Sequence, residues 1–191
     1  MAVIDPEKSF TMQNLQDAQR DMQEGYAYGA PGIVASGLIW LLSSLVVQYY
    51  APQQAVWTLI IGGMFIYPLG KLFEKLLGYR GGHSKGNPLG NLAMEGTIWM
   101  IMCIPLAYGL AQMKVEWFFQ GMLLIIGGRY LTFASIYGTR LYWVLGALLG
   151  LAAYGLFSFG LGAFASALSG AVIEIGFGSV MYTFFRKKLT K

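Results

Sequence analysis

The chain has 191 residues, 56% of them hydrophobic and only 12% charged, with a formal net charge of +4, whereas an average soluble domain carries about 25% charged residues. A water-soluble protein of this size has no way to bury so much apolar surface, so a membrane is its natural solvent. The basic residues flank apolar runs and form no face, which argues against nucleic acid as a partner, and the lone Cys103, inside an apolar run, cannot form an internal disulfide.

Residues 1–30 carry Asp5, Glu7, Asp17, Asp21 and Glu24 against Lys8 and Arg20, with no apolar core before a small-residue cleavage site. No cleavable signal peptide is expected, so the first apolar run inserts and stays. Residues 14–26 read as an amphipathic helix. Asn14 is placed to cap it, with Asp17 at the capping-box position, and Leu15, Ala18, Met22 and Tyr26 share one face. It is acidic, unlike helices that bind anionic lipid. It is expected to pack on the inner face of the protein, against the basic loop described below.

Six apolar runs follow, near 31–50, 54–73, 93–112, 117–137, 141–162 and 166–185, each close to the roughly 20 residues a helix needs to cross the hydrocarbon core. Many of the 26 glycines lie within them. In a bilayer small residues let helices approach closely, and Gly32 with Ser36, Gly146 with Gly150, and Ser166 with Gly170 are such pairs. With six spans and the amino terminus inside, eleven Lys and Arg residues fall in inner segments, Lys114 alone falls in an outer turn, and Arg129 lies within a span. That bias is what a positive-inside topology produces, and it puts both termini in the cytoplasm. The outer turns, "APQQ", "MKVE" and "GLGAFA", are too short to form a domain. The basic tail, 186–191, is a stop-transfer flank.

The longest connection, Lys71 to Asn91, is basic and glycine-rich. It lacks the Gly-Lys-Ser/Thr run of a phosphate loop. Its His83 is the only histidine, so no histidine-based metal site forms within one chain, and neither a metal nor another cofactor is expected. The loop reads as a connector facing anionic headgroups, with a lid or anion contact as the alternative.

The runs suggest three repeated helical hairpins. "GLIW" (37–40), "GTIW" (96–99) and "RLYW" (140–143) mark the first helix of each, and "LIIGGMF" (59–65), "LIIGGRY" (124–130) and "VIEIGFG" (172–178) the second. In this register Arg129 replaces Met64, and Glu174 falls near Ile60 or Ile61. A charge at mid-span costs about 2.5–3.5 kcal/mol on insertion scales, so it faces a partner, a wet cavity or the bundle interior. Arg129, Glu174 and Glu95 are therefore the candidate solute or ion path, grouped as a buried cluster of one guanidinium and two carboxylates. Glu174 shares its face with Ala167, Gly170, Ala171 and Gly178, a packing face. The structural alternatives are a charge pair that locks the bundle, or an Arg129 that snorkels to the headgroups. Trp40 and Trp99, at equivalent repeat positions, are candidate cavity-lining residues, with core packing as the alternative. Tyr49, Tyr50, Trp57 and Trp117 lie near span ends, where aromatic belts form.

From "NLQDAQRDMQEGYAYGAPGIVASGLIW" through "GRYLTFASIYGTRLYW" the chain resembles a family of uncharacterised bacterial membrane proteins of similar size. The resemblance implies a bacterial inner (plasma) membrane and supplies neither an activity nor site residues. The expectation is thus an all-α integral membrane protein whose six-helix bundle passes a small solute or ion. The rival is a non-transporting protein that binds a partner through its inner helix and basic loop. Homo-oligomerisation is compatible with either. No nucleophile–base pair or two-histidine motif points to an enzyme.

Overall fold

A computed structural model describes residues 15–189, and the side chains of residues 15–186. Asn14, the expected cap of the first helix, lies outside the described residues. All regular structure among them is helical. A short helix α1 (Leu15–Tyr26) passes through a tight turn, Ala27–Gly29, into α2 (Ala30–Tyr49). There follow α3 (Pro52–Leu76), α4 (Pro88–Met113), α5 (Val115–Tyr137), α6 (Leu141–Ser158) and α7 (Ala163–Leu189). Six helices are long and apolar enough to cross a membrane, the first of them supplied by the apolar α2 that continues from α1. The protein is a multi-span membrane protein.

Local chemistry sets the helix ends. Pro31, Pro52 and Pro88 sit in the first turns of α2, α3 and α4, where a missing N–H costs nothing. Asn87 caps α4 by accepting a 3.0 Å hydrogen bond from the Leu89 amide. Gly138 (φ 59°) closes α5, and Gly160 (φ 62°) follows the end of α6 at Ser158, short of the apolar run that continues to 162.

The helices form two layers of three. In one, α2 lies between α3 and α7; in the other, α5 lies between α4 and α6; and α7 packs on α5 and α6 to join them. The sequence pointed to three hairpins. The first two, α2–α3 and α4–α5, do pack closely, but α6 packs mainly on α5 and α7 mainly on α2. The reason lies in where backbones can touch. A Cβ on Gly37 of α2 would stand 2.7 Å from the Ile175 side chain, and one on Gly170 of α7 would stand 2.7 Å from the Trp40 ring. The small residues of α6 face α5 instead, where a Cβ on Gly146 would stand 2.7 Å from the Gly127 carbonyl oxygen. Glycines on both sides of each seam remove the steric barrier to dispersion contact, the main attraction between helices in lipid.

The outer surface is oily. Met64, Met102, Leu106, Leu151, Val172 and Val180 are all exposed, and α4 buries only Leu89 and Ala107. Tyr28, before α2, stacks on Phe185, near the end of α7, with ring centroids 3.8 Å apart. The start of the first span and the end of the last therefore meet at one end of the bundle, together with α1 and the α3–α4 loop. This end carries Lys71, Lys75, Arg80, Lys85, Arg140 and Arg186, and is called the basic end below.

Candidate functional site

Glu174 is wholly buried on α7, where the small-residue seam draws α7 against α2. The Tyr130 hydroxyl, from α5, donates to its Oε1 at 3.0 Å. Ser36 of α2 stands beside both groups. The second carboxylate oxygen, Oε2, is buried without a hydrogen-bond partner among the described residues. So is the indole Nε1 of Trp40. The two belong to one seam. Trp40 lies four residues beyond Ser36 on α2 and packs on Gly170, which lies four residues before Glu174 on α7. Four residues rise about 6 Å, so the two residues that carry these atoms lie roughly one turn apart along the seam. Unpaired buried polar atoms are uncommon and costly, about 1–3 kcal/mol each.

The structure does not pair Arg129 with Glu174. Arg129 and Tyr130 are neighbours on α5, so about 100° of helix rotation separates their side chains. Tyr130 turns toward α7. Arg129 turns toward α4, where its guanidinium donates to Thr97 Oγ1 at 3.0 Å and lies 4.9 Å above the Phe133 ring. Its Nε has no hydrogen-bond partner among the described residues. Glu95 is exposed on α4 and stays outside any buried cluster, although the neighbouring Gly96 faces Thr132 and Arg129. The expected group of one guanidinium and two carboxylates is therefore not assembled; Glu174 is bonded to Tyr130 beside Ser36, and Arg129 is near enough to be felt electrostatically without a direct bond. Of the two tryptophans, Trp40 is buried, 6.4 Å from Phe119 between ring centroids, whereas Trp99 lies 47% exposed on the outer surface.

Sequence reasoning missed the surroundings of Glu174. Tyr130, Tyr142 and Tyr137 form a buried aromatic column running toward the basic end, with centroids 5.9 Å and 5.5 Å apart. The Tyr142 hydroxyl donates to the Tyr28 carbonyl at 2.6 Å. Sequence reasoning also missed Glu74, a second buried carboxylate toward the basic end of α3, with Oε2 close to Gly81 and unpartnered among the described residues. Its signal was there: Leu59, Ile66, Gly70 and Glu74 recur at helical spacing, which continues α3 through a stretch that composition assigned to the loop.

Above this column, α1 is fastened across the basic end. Ala18, Met22 and Gly25 are buried beneath it. Gln19 and Gln23 donate to the carbonyls of Ser135 and Tyr137, at the end of α5. Asp21 is the main fastener. It accepts from Arg80 at 2.9 Å, the Ser84 amide at 2.8 Å, the Ser84 hydroxyl at 2.8 Å and the Asn87 amide at 2.9 Å. Burial works to raise its pKa, but the hydrogen bonds from Asn87, Ser84 and Arg80 outweigh that and bring it from 3.8 down to about 2. The Gly81 amide adds a bond to the Gly25 carbonyl, and Tyr26 Oη pairs with His83 Nδ1 at 2.8 Å. The turn that folds α1 back is left-handed at three successive residues, Ala27 (φ 48°), Tyr28 (φ 57°) and Gly29 (φ 75°). For the first two a side chain makes this unfavourable by roughly 1–2 kcal/mol each, so surrounding contacts hold the turn.

Residues 15–184 match a family described as a family of unknown function, DUF7010, and the chain belongs to that family. No match was found among curated proteins or among solved structures.

Proposed function

Starting from a member of a membrane family with no assigned activity, we propose that the protein moves a small solute or ion across the membrane, and that Glu174 is the group that binds it. The setting proposed is a bacterial plasma membrane with the basic end in the cytoplasm, as the positive-inside bias requires. One observation carries the reading: among the described residues, a fully buried carboxylate has one oxygen without a hydrogen-bond partner and no cation in ion-pair contact. A charge in that place demands a neutralising proton or cation. Structural locking by an ion pair would need Arg129 beside it, and Arg129 is bonded to Thr97. The orphan N–H of Trp40, a residue one turn away along the seam, adds a donor, so the seam suits a small solute that carries its own acceptor alongside a proton or cation.

The rival reading, a docking protein that works through α1, loses its main support. The apolar face of α1 is spent on the protein's own bundle, and Asp21 is spent on its own loop.

The test is uptake into proteoliposomes, with monovalent cations and a lumenal proton indicator as probes, driven by ion or pH gradients. Wild-type protein is expected to carry one of them. Glu174→Gln is expected to abolish that flux while keeping the fold, since a neutral amide still accepts from Tyr130. Flux equal in both proteins, or absent for every probe in wild type, refutes the assignment.

A further inference from the structure

The second buried carboxylate, Glu74, belongs to another site. It is 4% exposed, and its Oε2 has no hydrogen-bond partner among the described residues. It is in no ion-pair contact among them either. Lys71 on its own helix, Tyr26 of α1 and Tyr137 of α5 lie within electrostatic reach. The Lys71 ammonium sits 4.9 Å above the Tyr67 ring. On the α3–α4 loop, Arg80 is engaged by Asp21 and His83 by Tyr26. An ionised carboxylate buried without a bonded partner is costly, so Glu74 carries a proton in this arrangement.

Its cover has two layers. Gly81 of the α3–α4 loop lies on the carboxylate, where a Cβ would stand 3.2 Å from Oε2. At φ 63° this position favours glycine, whose bare backbone can come so near. The Gly81 amide is in turn bonded to the Gly25 carbonyl of α1 at 2.9 Å, and a Cβ on Gly25 would collide with the Gly82 carbonyl oxygen. Loop and helix therefore meet backbone to backbone above Glu74. Asp21 and the Tyr26–His83 pair fasten the two layers to each other. Beneath the cover, Tyr137 is the near end of the aromatic column that runs through Tyr142 to Tyr130 and Glu174.

We propose that Glu74 is a second proton-binding site, and that α1 with the α3–α4 loop is a lid that gates its proton exchange with water at the basic end. With the lid docked, the carboxyl stays neutral and shielded. With the lid undocked, water reaches it and takes its proton, leaving a solvated carboxylate. As an inlet to the column this site rests on the reading of Glu174; as a gated proton site it stands without it.

The experiment uses full-length protein in detergent, in mildly acidic buffer where an ordinary carboxyl is ionised. Infrared difference spectra on transfer to heavy water are expected to show a protonated-carboxyl band that Glu74→Gln removes and Glu174→Gln leaves. Glu74→Asp, which should shift the band, identifies it should the glutamine variant misfold. The rate at which a water-soluble carbodiimide modifies Glu74, mapped by mass spectrometry, is expected to rise about a hundredfold in Asp21→Ala, in step with amide exchange in α1. Met22→Asp, which puts a charge in the buried face of α1, is an independent way to undock the lid. A spectrum in which no protonated-carboxyl band depends on Glu74 overturns the proposal, whatever Glu174 does. Unchanged modification of Glu74 in a variant whose α1 amides exchange faster overturns the gate. A Glu74 band with gated modification, in protein that carries no ion, supports this site while refuting the reading of Glu174.

Discussion

Replacing Asp21 with alanine removes the central fastener of α1 and leaves every membrane-spanning helix untouched. Four donors lose their acceptor, but they do not count equally. Arg80 is 54% exposed on its side chain and turns to water, so its pair is worth at most about 1 kcal/mol. The Ser84 hydroxyl rotates to solvent. The Asn87 amide keeps its bond to the Ala18 carbonyl at 3.0 Å. The Ser84 amide and the second Asn87 bond remain, and a hydrogen bond to a charged group is worth about 1.5–3 kcal/mol. Asp21 is only 10% exposed, so little of this is screened. A total near 3 kcal/mol follows, or roughly a hundredfold rise in the population with α1 undocked. Hydrogen–deuterium exchange read by mass spectrometry measures it directly. Amides within Ala18–Tyr26 are expected to exchange about a hundredfold faster, while peptides from α5 and α7 keep their wild-type rates. A change below about threefold across α1 would show that its apolar face alone holds it, and would refute the fastener argument.

Acid should act on the same latch. The pKa of Asp21 is depressed when folded, so its stabilisation is complete above the ordinary value of 3.8 and is lost as pH falls through about 2. A spin-label pair on α1 and the α3–α4 loop should hold one distance from pH 8 to pH 5 and lengthen only below about pH 4. Gly170→Leu forces a side chain into the Trp40 ring and should destabilise the α2–α7 seam by about 1–3 kcal/mol, seen as a lowered midpoint of thermal unfolding in detergent. Arg129→Met loses the Thr97 bond and ring contact but also removes a mid-span charge, so stability should change by less than about 2 kcal/mol, and transport should stay intact because Arg129 faces α4. Abolished flux in a well-folded Arg129→Met protein would return the arginine to the site.

Much of the fold was legible because hydrophobic length is a coarse signal that lipid enforces strictly. Each apolar run became a helix, and the boundary errors lie where helices continue in polar residues and where α6 stops at Ser158 inside its apolar run. Glu74–Leu76 extend α3 beyond its expected span, and Pro88–Leu92 begin α4 ahead of its apolar run. The inward face of Glu174 was also legible, since Gly170, Ala171 and Gly178 recur at its helical spacing. Helix partnership was not. The repeat implied that α7 pairs with α6, yet backbone approach at Gly37 and Gly170 pairs it with α2. The charged group failed for a related reason. Depth along a helix can be counted from sequence, and depth alone made Arg129 and Glu174 neighbours. The angle around the helix decides contact, and it gives Tyr130 to Glu174 and Arg129 to Thr97. Glu95 shows the same blindness, lying at the right end of its span on the wrong side.

The claim that Glu174 is a working centre is open to a chemical measurement. Dicyclohexylcarbodiimide partitions into bilayers and modifies carboxyl groups in apolar surroundings that exchange protons. Protein in proteoliposomes would be treated, digested and mapped by mass spectrometry, with flux recorded on the same vesicles. Modification concentrated at Glu174, slowed by the transported ion and matched by loss of flux, is the expected result. A Glu174 that stays unmodified while flux continues, or is modified without effect on flux, would contradict the account.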